Sequence, residues 1–94
     1  SKYSSIGEGT IIMHSSIVNS GSKVGKNCIL NSMSLIEHDV SIGDYTHIST
    51  NTVINGQSSI GKNCFVGSSS VVTENIKIKD NSFIKANSFI KKNN

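Results

Sequence analysis

From Ile6 to Ile90 every sixth residue is aliphatic: Ile6, Ile12, Val18, Val24, Leu30, Ile36, Ile42, Ile48, Ile54, Ile60, Val66, Val72, Ile78, Ile84 and Ile90, with no slip in register. A period of six fits no α-helix. It fits a short strand followed by a corner, a unit that cannot bury its apolar side alone and must stack on copies of itself. With three hexads to a triangular coil, residues eighteen apart lie one above another, about 4.8 Å apart as in any sheet. Gly7, Gly25, Gly43 and Gly61 fall on that spacing, so the triangle is visible in the sequence. The expected fold class is all-β: one parallel β-helix domain spanning residues 1–94, in about five triangular coils.

Four positions after each aliphatic stands a residue that is nearly always small, such as Thr10, Ser16, Ser22, Cys28, Ser34, Thr46, Thr52, Ser58, Cys64 and Ser70. A tight inward corner requires this, and the core then has one large and one small slot per hexad. Cys28 and Cys64 share a column two coils apart. That is about 9 to 10 Å, beyond the roughly 7 Å that a disulfide tolerates, so both read as small buried thiols.

The residue before each inward aliphatic must point outward. On the first face these are Lys23, Ser41, Ser59 and Lys77, which suit water. The second face presents Ile11, Ile29, His47, Phe65 and Phe83, and the third Ile17, Leu35, Val53, Val71 and Phe89. Two long apolar stripes on a small chain mark an interaction surface, and a cyclic homotrimer packed through them is the expectation.

The net charge of +3 comes from nine Lys and no Arg, spread without a basic block. Arg is the bidentate reader of phosphates and guanine edges, so nucleic-acid binding is not expected. No apolar run approaches a signal-peptide core or a membrane span, and a cytoplasmic protein is expected. The chain begins with Ser and is in register by Ile6, which suggests that an upstream part has been removed. Proline is absent and Asn is abundant; Asn tolerates the left-handed conformation that tight corners need.

Chemistry must then sit where residues break the columns. His38, in Ile36-Glu37-His38-Asp39, occupies a corner with a carboxylate on either side. A carboxylate bonded to one ring nitrogen fixes the tautomer and raises the basicity of the other, as a general base needs; the alternative is a solvated His beside solvated acids. One coil above, Gly56 takes the equivalent slot, which opens space over His38 and frees a main-chain N–H for a ligand. His47 stands in a column otherwise made of Ile and Phe, either as an interface residue or as part of a site. His38 lies on the corner opposite the face that carries His47, so a site using both lies between subunits. The corner column His14, Ser32, Thr50, Ser68, Ala86 forms a small-residue groove above its first coil, where an extended cofactor could lie close to the backbone. His14, His38 and His47 lie at different corners or faces, and no metal is assigned.

These features resemble the left-handed β-helix acyltransferases, and within them the sialic-acid O-acetyltransferase and bacillosamine-type amino-sugar N-acetyltransferase group. The likeness rests on the hexad repeat, and on Ile36-Glu37-His38-Asp39-Val40-Ser41-Ile42-Gly43, His47-Ile48, Asn55-Gly56 and Ile60-Gly61-Lys62-Asn63-Cys64-Phe65-Val66-Gly67. Left-handed coiling, an exception to the right-handed crossover rule, is implied by this resemblance. So is transfer of acetyl from the co-substrate acetyl-CoA to an amino group of a nucleotide-linked sugar, or to a sugar hydroxyl. On this likeness His38 is the general base, and Asp39 raises its basicity with Glu37 as the rival. His47 and Gly56 meet the thioester, and Ser68 and Ala86 line the pantetheine path. The chain departs from the group in Lys79, Lys85 and Lys91, in Ala86 where Gly is usual, and in a tail that ends Lys91-Lys92-Asn93-Asn94. On the same likeness it is expected to lack the group's amino-terminal βαβ domain, which holds the nucleotide sugar. The reading from another class is a non-catalytic β-helix scaffold that trimerises a longer protein.

Overall fold

A computed structural model describes residues 4–94. Its two-residue strands recur every six residues and stack into three five-stranded parallel sheets. The first sheet is built from Ser5–Ile6, Lys23–Val24, Ser41–Ile42, Ser59–Ile60 and Lys77–Ile78. Ile11–Ile12, Ile29–Leu30, His47–Ile48, Phe65–Val66 and Phe83–Ile84 form the second. Ile17–Val18, Leu35–Ile36, Val53–Ile54, Val71–Val72 and Phe89–Ile90 form the third. Every pairing joins residues eighteen apart, as in Ser59↔Lys77 and Phe65↔His47, so the coils stack as the repeat predicts. Among the described residues no helix is long and apolar enough to cross a membrane.

The core is the column of inward aliphatics. Leu30, Ile36, Ile48, Ile54, Val66 and Val72 are wholly buried, each contributing about 1.5 to 3 kcal/mol by removal from water. In the first coil Ile6 and Ile12 are 40 and 41% exposed. At the other end, side-chain carbonyls accept from backbone amides of the last coil. The Lys77 and Lys79 amides donate to Oδ1 of Asn93 and Asn94 at 2.8 Å. The tail that departs from the family pattern thus covers part of a bare sheet edge.

The small slots do more than save space. Thr46 Oγ1 donates to the Gly61 carbonyl at 2.7 Å and accepts from the Cys64 amide at 3.1 Å, tying its coil to the next. Ser58 makes the same pair of bonds to the Thr73 carbonyl and the Ile76 amide. The free thiols Cys28 and Cys64 occupy equivalent slots and reach the carbonyls of Gly43 and Lys79 at 3.1 and 3.2 Å. Every buried side-chain N or O among the described residues has a partner, so the narrow core carries polar groups without a desolvation penalty.

Each corner places its second residue in the left-handed region. Asn27, Asn51, Asn63, Asn75, Asn81 and Asn87 do so, but so do Met33, Tyr45 and Gln57, at φ 60, 61 and 64. That conformation is unfavourable for most L-residues, so the stacked coils, rather than local preference, hold these corners.

Candidate active site

His38 is the first residue of the corner that leads from the third sheet to the first. Asp39 follows it at φ 58, and this left-handed turn brings the carboxylate back toward the ring, with Oδ2 3.2 Å from His38 Nδ1. An Nδ1–H donating to Asp39 leaves Nε2 with its lone pair outward. Glu37 is used differently: its Oε1 accepts from Asn19 Nδ2 at 3.0 Å, one coil below. The ring's carboxylate partner is therefore Asp39.

Two glycines make room for this pair. A Cβ on Gly56 would lie 2.7 Å from His38 Nε2 and 2.8 Å from Cε1, so the imidazole rests against the bare Gly56 backbone. A Cβ on Gly21, one coil below Asp39, would collide with Asp39 Oδ1. The Gly56 N–H bonds to no other described residue. Gly21 was not singled out from the sequence, although eighteen-residue stacking sets it directly beneath Asp39.

A groove of about 420 Å³ opens over the ring, lined by Glu37, His38, Asn55, Gly56, Gln57, Thr73 and Glu74. Its ionisable groups other than His38 are carboxylates, and no Lys among the described residues lines it, although the chain as a whole is basic. The groove can present a ligand at once to a ring nitrogen with a free lone pair and to a main-chain N–H.

His47 points outward from the middle of the second sheet. Phe65 stands edge-on to it with centroids 5.2 Å apart and planes at 82°, and Phe83 stacks on Phe65. Asn31 Nδ2 lies 3.4 Å from His47 Nε2. Desolvation on this apolar face lowers the imidazole pKa below its ordinary 6.5, which favours the neutral ring at pH 7. With Nε2 accepting from Asn31, the neutral ring offers an Nδ1–H. Asn31 was not visible as a partner because it reaches sideways from a neighbouring corner, sixteen residues away.

Within one protomer His38 and His47 do not come together, since the corner of one is opposite the sheet of the other. Ser68 and Ala86 lie on the third corner, between the second and third sheets. Ser68 Oγ is 2.8 Å from Ser49 Oγ, and Gly67 lets the backbone of Ala86 approach so closely that a Cβ would lie 2.7 Å from its Cα. His14 is exposed on the first coil of that column. Among the described residues no three His, Cys, Asp or Glu side chains converge as metal ligands would.

Parallel strands that recur every six residues and close eighteen-residue coils define a class, and the family model agrees. The chain belongs to the bacterial transferase hexapeptide (six repeats) family, whose model matches residues 3–38 and 57–92. Among solved structures it is similar to the acetyltransferase domain of PglB from Neisseria gonorrhoeae FA1090, with TM-score 0.93 and 22% identity over 97% of this chain and 46% of that one. The same domain in complex with acetyl coenzyme A gives TM-score 0.91 and 22% identity over 96% and 46%. A mutant perosamine N-acetyltransferase from Caulobacter crescentus, in complex with CoA and GDP-perosamine, gives TM-score 0.67 and 10% identity over 95% and 46%. This chain thus spans just under half the length of these neighbours, and at such identities the likeness is one of fold. No curated protein matches the sequence.

Proposed function

We propose that this chain is the catalytic β-helix of a sugar N-acetyltransferase that works as a homotrimer, with its site between subunits. The observation that carries the reading is the His38–Asp39 pair on a corner opened by Gly56, beneath a groove. Neighbours of the same fold, described as acetyltransferases and solved with acetyl coenzyme A or with CoA and an amino sugar, support it. The trimer is supported by the outer stripes: Phe83, Phe89, Ile11 and Ile17 are 72, 62, 53 and 53% exposed, more apolar surface than a small monomer ordinarily leaves wet.

Acetyl-CoA supplies an acetyl group activated as a thioester. His38 Nε2 removes the proton from the acceptor nitrogen as that nitrogen bonds to the acetyl carbon. Gly56 N–H, and His47 of the partner subunit through its Nδ1–H, donate to the oxygen that gains negative charge. As the carbon–sulfur bond breaks, the imidazolium of His38 returns its proton to the departing thiolate. Asp39 holds the ring in the tautomer that makes Nε2 the base. Ser68 and Ala86 flank the path of the pantetheine arm.

The test is acetyl transfer by the full chain to nucleotide-linked amino sugars, followed by release of the CoA thiol. His38→Ala should keep the circular dichroism and the assembled mass and lose about 10²- to 10⁴-fold in turnover. Unchanged turnover would remove His38 as the base. Calorimetry that finds an intact trimer with no affinity for acetyl-CoA would favour the non-catalytic scaffold instead.

A further inference from the structure

The corner column that holds His38 continues upward through Gly56 to Glu74. All three line one groove, and Gly56 leaves no side chain between the imidazole and the carboxylate. Two layers of parallel sheet set the corner positions of His38 and Glu74 about 9 to 10 Å apart. That leaves room for one functional group of an acceptor between Nε2 and the acid.

Glu74 has no hydrogen-bond or ion-pair partner among the described residues. This separates it from four of the other five acids; Glu8, on the first coil and away from the groove, likewise has no side-chain partner. Asp44 and Asp80 accept from the Lys26 and Lys62 amides, Asp39 meets His38, and Glu37 accepts from Asn19. Lys92 occupies the next position of the column and forms no ion pair with Glu74. An unpartnered carboxylate above a proposed general base, in a groove without cations on a basic chain, fits a cationic ligand.

We infer that Glu74 is the specificity residue that selects an amine acceptor over a hydroxyl, by receiving the acceptor's ammonium group above His38. This rests on the reading of His38 as the base of acetyl transfer. An amine of ordinary pKa reaches the groove largely protonated near pH 7, and the Glu74 carboxylate holds it by charge-assisted hydrogen bonds. Loss of one proton to solvent yields the neutral amine. That nitrogen then attacks the acetyl carbon and passes its second proton to His38 Nε2. A hydroxyl acceptor brings no charge and gains only a neutral hydrogen bond.

Binding and turnover are measured separately on the full chain. Without acetyl-CoA, calorimetry compares GDP-perosamine with the same nucleotide sugar carrying a hydroxyl in place of the amine, for the parent protein and for Glu74→Gln. The parent should prefer the amine, and Glu74→Gln should reduce the amine-to-hydroxyl ratio of binding constants about tenfold. Glu74→Asp should recover part of it, and added salt should erode the preference of the parent only. No amine preference in the parent, or an equal preference in Glu74→Gln, overturns the inference. Turnover with acetyl-CoA gives the second reading: selective binding without transfer would sink the catalytic proposal and leave Glu74 as the amine-selecting residue. Transfer whose amine-to-hydroxyl ratio is the same in Glu74→Gln would do the reverse.

Discussion

Two corners of this prism use glycine for the same geometric purpose and opposite ends. At the corner between the first and second sheets, Gly25 and Gly61 make room for Asp44 and Asp80 of the coil above. The Asp Oδ1 atoms accept from the Lys26 and Lys62 amides at 3.0 and 2.9 Å. At the corner between the third and first sheets, Gly56 and Gly21 make room for His38 and Asp39. The first pair of guests is tied to the backbone of the neighbouring coil. The second pair is tied to itself, and His38 is left 61% exposed with a nitrogen free. Space at a corner is a common resource of this fold, and what distinguishes a site is a guest whose bonding capacity is left unfilled.

The largest effect that would sharpen this contrast comes from Gly56→Ala. The three atoms nearest the new Cβ all belong to the ring of an exposed His38, which can swing away at little cost to the fold. The base then leaves its position, and a displacement of about 1 Å is worth about 10²-fold in rate. Turnover should fall by about that factor while the thermal midpoint changes by no more than about 2 °C. A Gly56→Ala protein that melts much earlier and keeps its turnover would erase the distinction between the corners.

Gly25→Ala should behave in the opposite way. Its Cβ would lie 2.8 Å from the Asp44 backbone nitrogen and 3.0 Å from its Cα, so a whole coil must shift. Overpacking of this kind costs about 1 to 3 kcal/mol. For a chain of this length that lowers the midpoint by about 4 to 8 °C per kcal/mol. Melting has to be compared at equal protein concentration, because association adds to apparent stability. Turnover of the surviving folded protein should match the parent. If turnover falls in proportion at temperatures where the variant is fully folded, the two corners are coupled, and the strict division between them fails.

Much of this was legible in the sequence because a six-residue period is also a coordinate system. It gave the layer and column of every residue, and hence the three sheets, the buried cysteines, the wet first face and the His38–Gly56 stacking. It could not give side-chain torsions. Asp39 and Glu37 flank His38 equally in sequence. The choice between them depends on a backbone φ of 58 at Asp39, on the space above Gly21, and on Asn19 engaging Glu37. His47 was visible as an anomaly in an apolar column, but its contact with Asn31 depends on how far a side chain reaches around a corner. Glu74 stood in the same readable column as His38. It gained meaning only when the groove over His38 took it in and the neighbouring acids Glu37 and Asp39 proved to be engaged.

The smallest effects come from one chemical change made at both corners. Asp39→Asn keeps the shape and removes the charge beside His38. An amide can present its NH₂ to Nδ1 and favour the wrong tautomer, turning Nε2 from acceptor to donor. We expect roughly a tenfold decrease in kcat/KM, the size of one misdirected hydrogen bond, with the thermal midpoint little changed. Asp44→Asn keeps an oxygen that can still accept from the Lys26 amide, so it exchanges a charge-assisted bond for a neutral one. That should cost no more than about 1 kcal/mol, read as a small fall in midpoint with an unchanged kcat/KM. An equal fall in kcat/KM in both variants, or an unchanged kcat/KM in Asp39→Asn, would mean that the two carboxylates are interchangeable parts of the scaffold. The assignment of the His38 corner to chemistry would then lose its support.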